Sequence, residues 1–450
     1  MSRRARRCSY RAALADCEPN AAGSVCAGFR CSQKSGGDAV FLRKIVRVKN
    51  NSMKEVRREH DAHTNFHRQG GGVGKTSVAA ACAWGSASRG SRTLVVSTDA
   101  AHSIGDVLDR RIGPDIVHVV ENLDAIELDA DRIMETEYGD MVRGITSMMG
   151  SIGAADEVPF SLPGFDGLFS LLKLIDYAES GEYDSIVVDC APTGETLALL
   201  KFPELLSWYV EKWLPIGKVA VRVLSPVSKK ILKVELPDKH AMSDIERLYA
   251  RLLDLQALLK DGEKTTVRVV TLPEKMVVEE TKRNYLYLNL FGYRVDGVIV
   301  NRVLPVEATT GFFCEWADIQ HRCIEGLEHV FAEVPMAQVP WYETDICGVA
   351  GIRRLSEAMP DESTFEQAPN VEHERYEKTE SGWRLSLFVP LAEKGSLELY
   401  RAGADLAVRI GGFTRCLPLP NVLAGAEVAR AKLEDGLLTV EFDQEARDER

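Results

Sequence analysis

The stretch GGGVGKTS, residues 70–77, constrains this chain more than any other part of it. Glycines at this density let backbone N–H groups wrap an anion, a lysine adds a point charge, and a hydroxyl next to it can ligate Mg²⁺. The residues that follow, SVAAACAWGSA, are small helix formers, so a helix N-terminus faces the anion. Gly71, Gly72, Val73, Gly74, Lys75, Thr76 and Ser77 are therefore the first candidate nucleotide-binding residues. A loop of this kind belongs between a buried strand and a helix, which commits the chain to an α/β fold. Two features depart from the pattern. Gln69 stands where GxxxxGK[ST] asks for its first glycine, and KNNSMKEVRREHDAHTNFHRQ, just ahead of the loop, has no strand character. The nearest strand candidate, VFLRKIVRV, ends at Val48.

Downstream, short β-branched runs alternate with helical patterns, the sequence form of a mostly parallel sheet. The strand candidates are TLVVST (93–98), DSIVVD (184–189), TVRVVTL (266–272), DGVIVN (296–301) and HVFAEVP (329–335). Their continuous apolar character suits strands covered on both faces. Long helical insertions interrupt them at 107–183 and 203–262. In the second, Ile245, Leu248, Leu252, Leu255 and Leu259 repeat at the spacing of a helix packed along one partner. The acidic, polar residues 360–374 read as a linker, and the alternating short strands of 375–447 read as a small all-β sandwich. The expected domains are thus an N-terminal extension (1–67), a P-loop ATPase domain (68–359), the linker and the sandwich.

Composition excludes several classes. Net charge is −12, with eleven Lys/Arg against three acids in residues 1–50, so the remaining body is strongly acidic. Nucleic-acid binding needs clustered basic charge and is not expected. No apolar run is long enough to span a membrane. The ten cysteines include no CxxC pair, which argues against a zinc knuckle or a redox pair. The Arg-, Ser- and Ala-rich start reads as an organelle transit peptide, mitochondrial or chloroplast, with a disordered tail or a wrongly joined upstream sequence as alternatives. The expected location is a plastid stroma, with the cytoplasm as the alternative.

Two carboxylates complete the candidate site. VVSTDAAHS carries Asp99 past the end of one buried run, and IVVDCAPTGETLALL carries Asp189 at the end of another. Both lie at the sheet edge where α/β folds bind ligands. One can orient an attacking water and the other can hold hydrated Mg²⁺.

These segments, with TLPEKMVVEETKR, VNRVLP and VPWYETDICG, resemble the anion-transporting ATPase family, which includes the arsenite-pump ATPase and the ATPase that delivers tail-anchored membrane proteins. The sandwich resembles the alpha-crystallin-like domain appended to some members, as in plastid or cyanobacterial-type paralogues. The resemblance implies ATP and Mg²⁺ as ligands and a homodimer that handles hydrophobic or tail-anchored clients. It implies Lys75 and Thr76 as phosphate and Mg²⁺ ligands, with Lys75 and Asp99 catalytic. Asp99 positions the water, Asp189 senses the γ-phosphate, and both act on Mg²⁺ from its outer sphere. Asn301 recognises adenine, and the segment from Pro340 to Gly348 covers the base. Three departures stand out: Gln69-Gly70 replaces a Gly-Lys pair whose lysine reaches across the dimer, the two switches carry Ala100 in place of a proline and Glu195 in place of a histidine, and the dimer-bridging zinc CxxC of the tail-anchor branch is absent. The alternatives are a nucleotide-binding chaperone or scaffold with little hydrolysis, and an arsenite or antimonite pump subunit. Met134, Met141, Met148, Met149 and the apolar ELLSWYVEKWLPIGKVAVRVL are the candidate client surface.

Overall fold

The computed structural model describes residues 39–40, 42–44, 66–67, 73–98, 103–139, 165–190, 239–380, 382–403, 405–423 and 426–443. Several sequence expectations lie outside them: Gln69 to Gly72, Asp99, Ala100, Pro192 to Glu195, Met141, Met148, Met149 and the apolar stretch at 204–224.

The described strands of the first sheet are β1 (Ala39–Val40), β2 (Leu42–Lys44), β3 (Phe66–His67), β4 (Thr93–Ser97), β5 (Val117–Val120), β6 (Leu123–Glu127), β7 (Ser185–Cys190), β8 (Thr265–Thr271), β9 (Val295–Val303) and β10 (Met336–Pro340). Across the sheet the order is β10-β9-β8-β2-β7-β4-β6-β5. The pairs β10–β9, β9–β8, β7–β4 and β4–β6 are parallel. Every residue of β4, β7 and β8 is buried, as continuous apolar runs covered on both faces require. Successive residues serve opposite layers. Val95, Val187, Val270 and Ile299 pack with the alanines of helix α1 (Lys75–Ser88), while Leu94, Val96, Ile186, Val188 and Val298 face the other way.

The centre of the sheet differs from the sequence expectation. Part of VFLRKIVRV does form strands, but β2 runs antiparallel to both β7 and β8, and β1 is antiparallel to β8. The segment that lacked strand character contributes the two-residue β3, parallel to β7 with Phe66 opposite Asp189. A gap between two buried strands leaves two rows of backbone donors and acceptors that must be paired. An upstream segment of either direction satisfies that need, and periodicity alone does not announce which one fills it.

Beyond α2 (Ser103–Leu108), helices α3 (Phe165–Ser180) and α4 (Lys239–Lys260) pack side by side, and Leu248, Leu252, Leu255 and Leu259 are all buried, as their spacing predicts. Arg251 of α4 donates to Asp176 Oδ1 (2.6 Å) and Leu172 O (3.1 Å) of α3. After α5 (Lys275–Leu290), the expected strand at 329–335 is a helix end instead. Helix α6 (Cys314–Val330) continues into a turn through Phe331 N–H to Leu327 O (2.8 Å), and the strand starts at Met336. The buried residues Leu327, Phe331 and Val334 follow a three-to-four residue period rather than a two-residue one.

Helix α7 (Gly348–Glu357) lies against α1, where a Cβ on Gly85 would meet Ser356 Oγ at 3.0 Å. The expected linker holds a short helix, α8 (Glu362–Glu366), capped by Asp361 and anchored in the core. Phe365 is 1% exposed and sits where a Cβ on Gly297 would collide with its ring. Arg268 of β8, fully buried, stacks 3.5 Å over that ring and pairs with Asp296 (3.0 Å) and Glu362 (3.1 Å). Its guanidinium pKa is raised because the two carboxylates outweigh burial, which alone would lower it.

The C-terminal strands are β11 (Glu374–Thr379), β12 (Gly382–Phe388), β13 (Leu397–Ala402), β14 (Asp405–Ile410), β15 (Phe413–Pro418), β16 (Val428–Glu434) and β17 (Leu437–Asp443). They form antiparallel sheets β11-β12-β17-β16 and β13-β14-β15. Their inner residues, among them Leu385, Val408 and Leu438, join the same apolar cluster as α3, α4 and α5. Phe413 meets Tyr287 edge-on at 4.8 Å, and Arg415 donates to Leu290 O (2.7 Å) while pairing with Glu374 (2.6 Å).

Two measurements test this packing. Phe365→Ala should lower unfolding free energy by about 3–5 kcal/mol in urea titration, the cost of emptying a buried aromatic site. His373 shares a 3.1 Å hydrogen bond with Asn289. Burial, then Arg415, Arg294 and Lys260, push its pKa down to about 4. A depressed folded-state value means that its contribution is complete above pH 6.5 and is lost as pH falls towards 4. His373→Gln should flatten that part of the stability profile.

Candidate functional site

The loop's conformation is set at Gly74, which adopts a left-handed φ of 82° and caps α1, with Val78 N–H bonding to its carbonyl at 3.0 Å. Glycine is required twice over here. A side chain would be strained at that φ, and its Cβ would collide with Asn301 Nδ2. That same nitrogen donates to Val73 O at 2.7 Å, so the end of β9 holds the loop in place. Lys75 and Thr76 open the helix at 2% and 7% exposure, values that place both side chains inside the protein.

Strand β7 carries Asp189, fully buried, to a point where its Oδ1 lies 3.5 Å from Lys75 Nζ. Register places Ser97 of β4 opposite Asp189, and Thr98 N–H bonds to Asp189 O at 2.9 Å. The chain leaves β4 at this level, one residue before Asp99. On the far side of that segment, Ser103 begins α2, and its Oγ shares a 3.2 Å hydrogen bond with Thr76 Oγ1. Glu127, itself buried, fixes the start of α2 by accepting from Gly105 N–H at 2.8 Å. The result is a cleft of about 190 Å³ lined by Val73, Gly74, Lys75, Thr76, Ser77, Ser103, Asp106, Val107 and Arg302.

Of the residues expected from sequence, Val73 to Ser77, Asp189 and Asn301 come together at this sheet edge. Pro340 ends β10 opposite Val303, and it does not line the cleft. The segment after it is tied in from its far end, where Cys347 Sγ approaches Asp106 O of α2 at 3.5 Å. Gly71, Gly72 and Asp99 lie outside the described residues. Sequence reasoning passed over Ser103, Asp106, Val107 and Arg302. Ser103 closes STDAAHS and Arg302 sits within VNRVLP, so both were inside quoted motifs without being singled out.

The cleft combines a helix N-terminus, a buried lysine, two adjacent hydroxyls and a carboxylate. Such a set receives an anionic ligand together with a hard cation. Gly74→Ala should abolish any thermal shift produced by ATP and should cost about 1–2 kcal/mol for the left-handed residue alone. Asn301→Ala should cost about 0.5–1.5 kcal/mol through its lost hydrogen bond, with the loop backbone still able to form. Unfolding curves with and without nucleotide check both.

Comparison with known proteins agrees with this arrangement. Residues 66–361 match the anion-transporting ATPase family, and residues 380–442 match an HSP20-like domain found in ArsA. A protein of Prosthecochloris vibrioformis named as an arsenical pump-driving ATPase is 34% identical, covering 83% of this chain and 94% of the relative. ATPase ASNA1 homolog 1 of Paramecium tetraurelia is 27% identical over 64% of this chain and 89% of its own length. ATPase GET3C of Arabidopsis thaliana is 28% identical over 64% and 80% respectively. A P-loop domain with a β-sandwich packed on its helices, matched over both parts, places this chain in the anion-transporting ATPase family.

Proposed function

We propose that this chain binds ATP with Mg²⁺ in the Lys75–Thr76 cleft and hydrolyses it as a homodimeric switch that handles hydrophobic polypeptide clients. The observation that carries this reading is the convergence of Lys75, Thr76, Ser103 and Asp189 around one helix N-terminus. The two hydroxyl oxygens of Thr76 and Ser103 suit a hard cation, and Asp189 supplies charge nearby. Mg²⁺, when bound there, would offset the charge that develops on the transferred phosphoryl group. Lys75 places its positive charge against the phosphate chain, and the N-terminus of α1 directs backbone N–H groups at it. Asp99, one residue beyond Thr98, orients the attacking water and accepts its proton.

An exposed aromatic patch supports the dimer. Phe312 is 84% exposed and meets Phe313 edge-on at 5.2 Å, and Phe313 is in ring contact with the exposed Trp341 at 6.3 Å. Isolated surface aromatics need no explanation, but exposed rings in contact with one another are suited to a partner. Client handling draws on the named ASNA1 and GET3C relatives and on the apolar insertions. Met134, the described member of the methionine set, packs against the core. Among the described residues no helix is long and apolar enough to cross a membrane.

A second reading is a nucleotide-dependent scaffold with slow turnover, favoured by Gln69-Gly70 in place of a Gly-Lys pair. Purified full chain separates the two. Magnesium-dependent ATPase activity that falls roughly 10²–10⁴-fold in Asp99→Asn is the expected result. Nucleotide binding with no turnover would favour the scaffold. Turnover stimulated by arsenite would instead support the pump reading. Capture of a transmembrane-helix peptide only in one nucleotide state checks the client.

A further inference from the structure

Arg302 is out of keeping with its surroundings. It follows Asn301 near the end of β9, in a run of apolar residues, and it adopts a left-handed φ of 56°. An L side chain rarely takes that conformation, and glycine or asparagine would take it more easily. The backbone is held there on both sides by one buried side chain. Gln320 of α6, 8% exposed, donates from Nε2 to Arg302 O at 3.2 Å and accepts at Oε1 from Leu304 N–H at 2.8 Å. One residue later, Val303 O accepts from Trp341 N–H at 2.8 Å, which fixes the strand end to β10.

Persistent strain in a residue that a smaller one would relieve is characteristic of functional positions. Arg302 lines the same cleft as Lys75, Thr76 and Ser77. It is exposed, and its guanidinium forms no ion pair among the described residues. The other charges are already balanced or adverse. Lys75 faces Asp189 at 3.5 Å, and Asp106 adds a carboxylate to the lining. A nucleoside triphosphate brings several negative charges into that balance, and Lys75 alone does not offset them. A guanidinium also offers a planar fork of donors that suits phosphate oxygens.

We propose that Arg302 is a cis-acting cation that contacts the phosphate chain of the nucleotide, and that Gln320 is the positioning residue that holds its backbone in the required conformation. This rests on the nucleotide reading of the cleft. Strain also gives the proposal a distinctive signature, because stability and ligand affinity should move in opposite directions.

The test measures apo melting temperature and ATP and ADP affinity in the full chain for wild type, Lys75→Ala, Arg302→Gly, Arg302→Gln, Arg302→Lys and Gln320→Ala. Arg302→Gly should melt higher than wild type without nucleotide, yet bind ATP about 10- to 100-fold more weakly, the worth of a hydrogen bond to a charged group. Arg302→Lys should recover a large part of that loss, and Arg302→Gln should not. Gln320→Ala should weaken ATP binding when Arg302 is present and change it little in the Arg302→Gly background, as coupled positions do. Wild-type affinity in Arg302→Gly would overturn the proposal. Equal affinity in the Gln and Lys variants would also overturn it, in favour of stacking on the base. If wild type binds no nucleotide, or Lys75→Ala binds it unchanged, the nucleotide reading itself fails.

Discussion

A lysine and an aspartate, both nearly or wholly out of water and 3.5 Å apart, lie at the centre of this structure. Removing two charges from solvent costs several kcal/mol each, roughly what their attraction returns, so the pair is a poor source of stability. It exists only because other elements hold both members in position. Asp189 rides on a strand buried on every residue, and Lys75 is fixed by a helix whose first turn hangs from Gly74 and from the Asn301 clamp on Val73. The strands before and after, the left-handed glycine and the amide from β9 all serve to keep one positive charge at a helix N-terminus. On the function proposed above, a phosphate chain entering the cleft meets that charge without waiting for the protein to rearrange.

A second buried charge cluster does a different task. Arg268 draws together β8, β9 and α8, three pieces far apart in sequence, through two carboxylates and an aromatic ring. Its partners leave the segment leading to the β-sandwich pinned to the far layer of the sheet from α3 and α4. From there the chain crosses to α5, where Arg415 and Phe413 lock the sandwich against Leu290 and Tyr287.

Much of this was readable from residue order. Continuous apolar runs located β4, β7, β8 and β9, because strands covered on both faces leave no room for polar alternation. The glycine-rich loop located α1 and its ligand end. Other parts were hidden for identifiable reasons. Phe331 and Val334 are apolar in a short run, which suits strand and helix end equally, and only the contact with Leu327 decides between them. Phe365 sits in acidic, turn-like sequence, and its burial depends on the missing side chain at Gly297, a partner distant in sequence. The antiparallel β2 answers a demand for backbone partners that the neighbouring strands create. Within the site, Lys75, Thr76 and Asp189 followed from motif chemistry, whereas Ser103 and Arg302 acquire meaning only from what they face.

The shared core of the sandwich and α5 bears on how this protein can have been assembled over evolutionary time. A domain joined by a flexible tether can be gained or lost in one event, since the surfaces on either side remain wetted. Here Tyr287 and Phe291, stacked 4.5 Å apart and almost wholly buried, lie under the covering strands. A chain ending after α8 would expose an aromatic scar on the outer layer of helices, prone to self-association. Loss of the appendage therefore demands new polar residues along α5 at the same time. Substitutions on that helix and on β15 are expected to be inherited as a set.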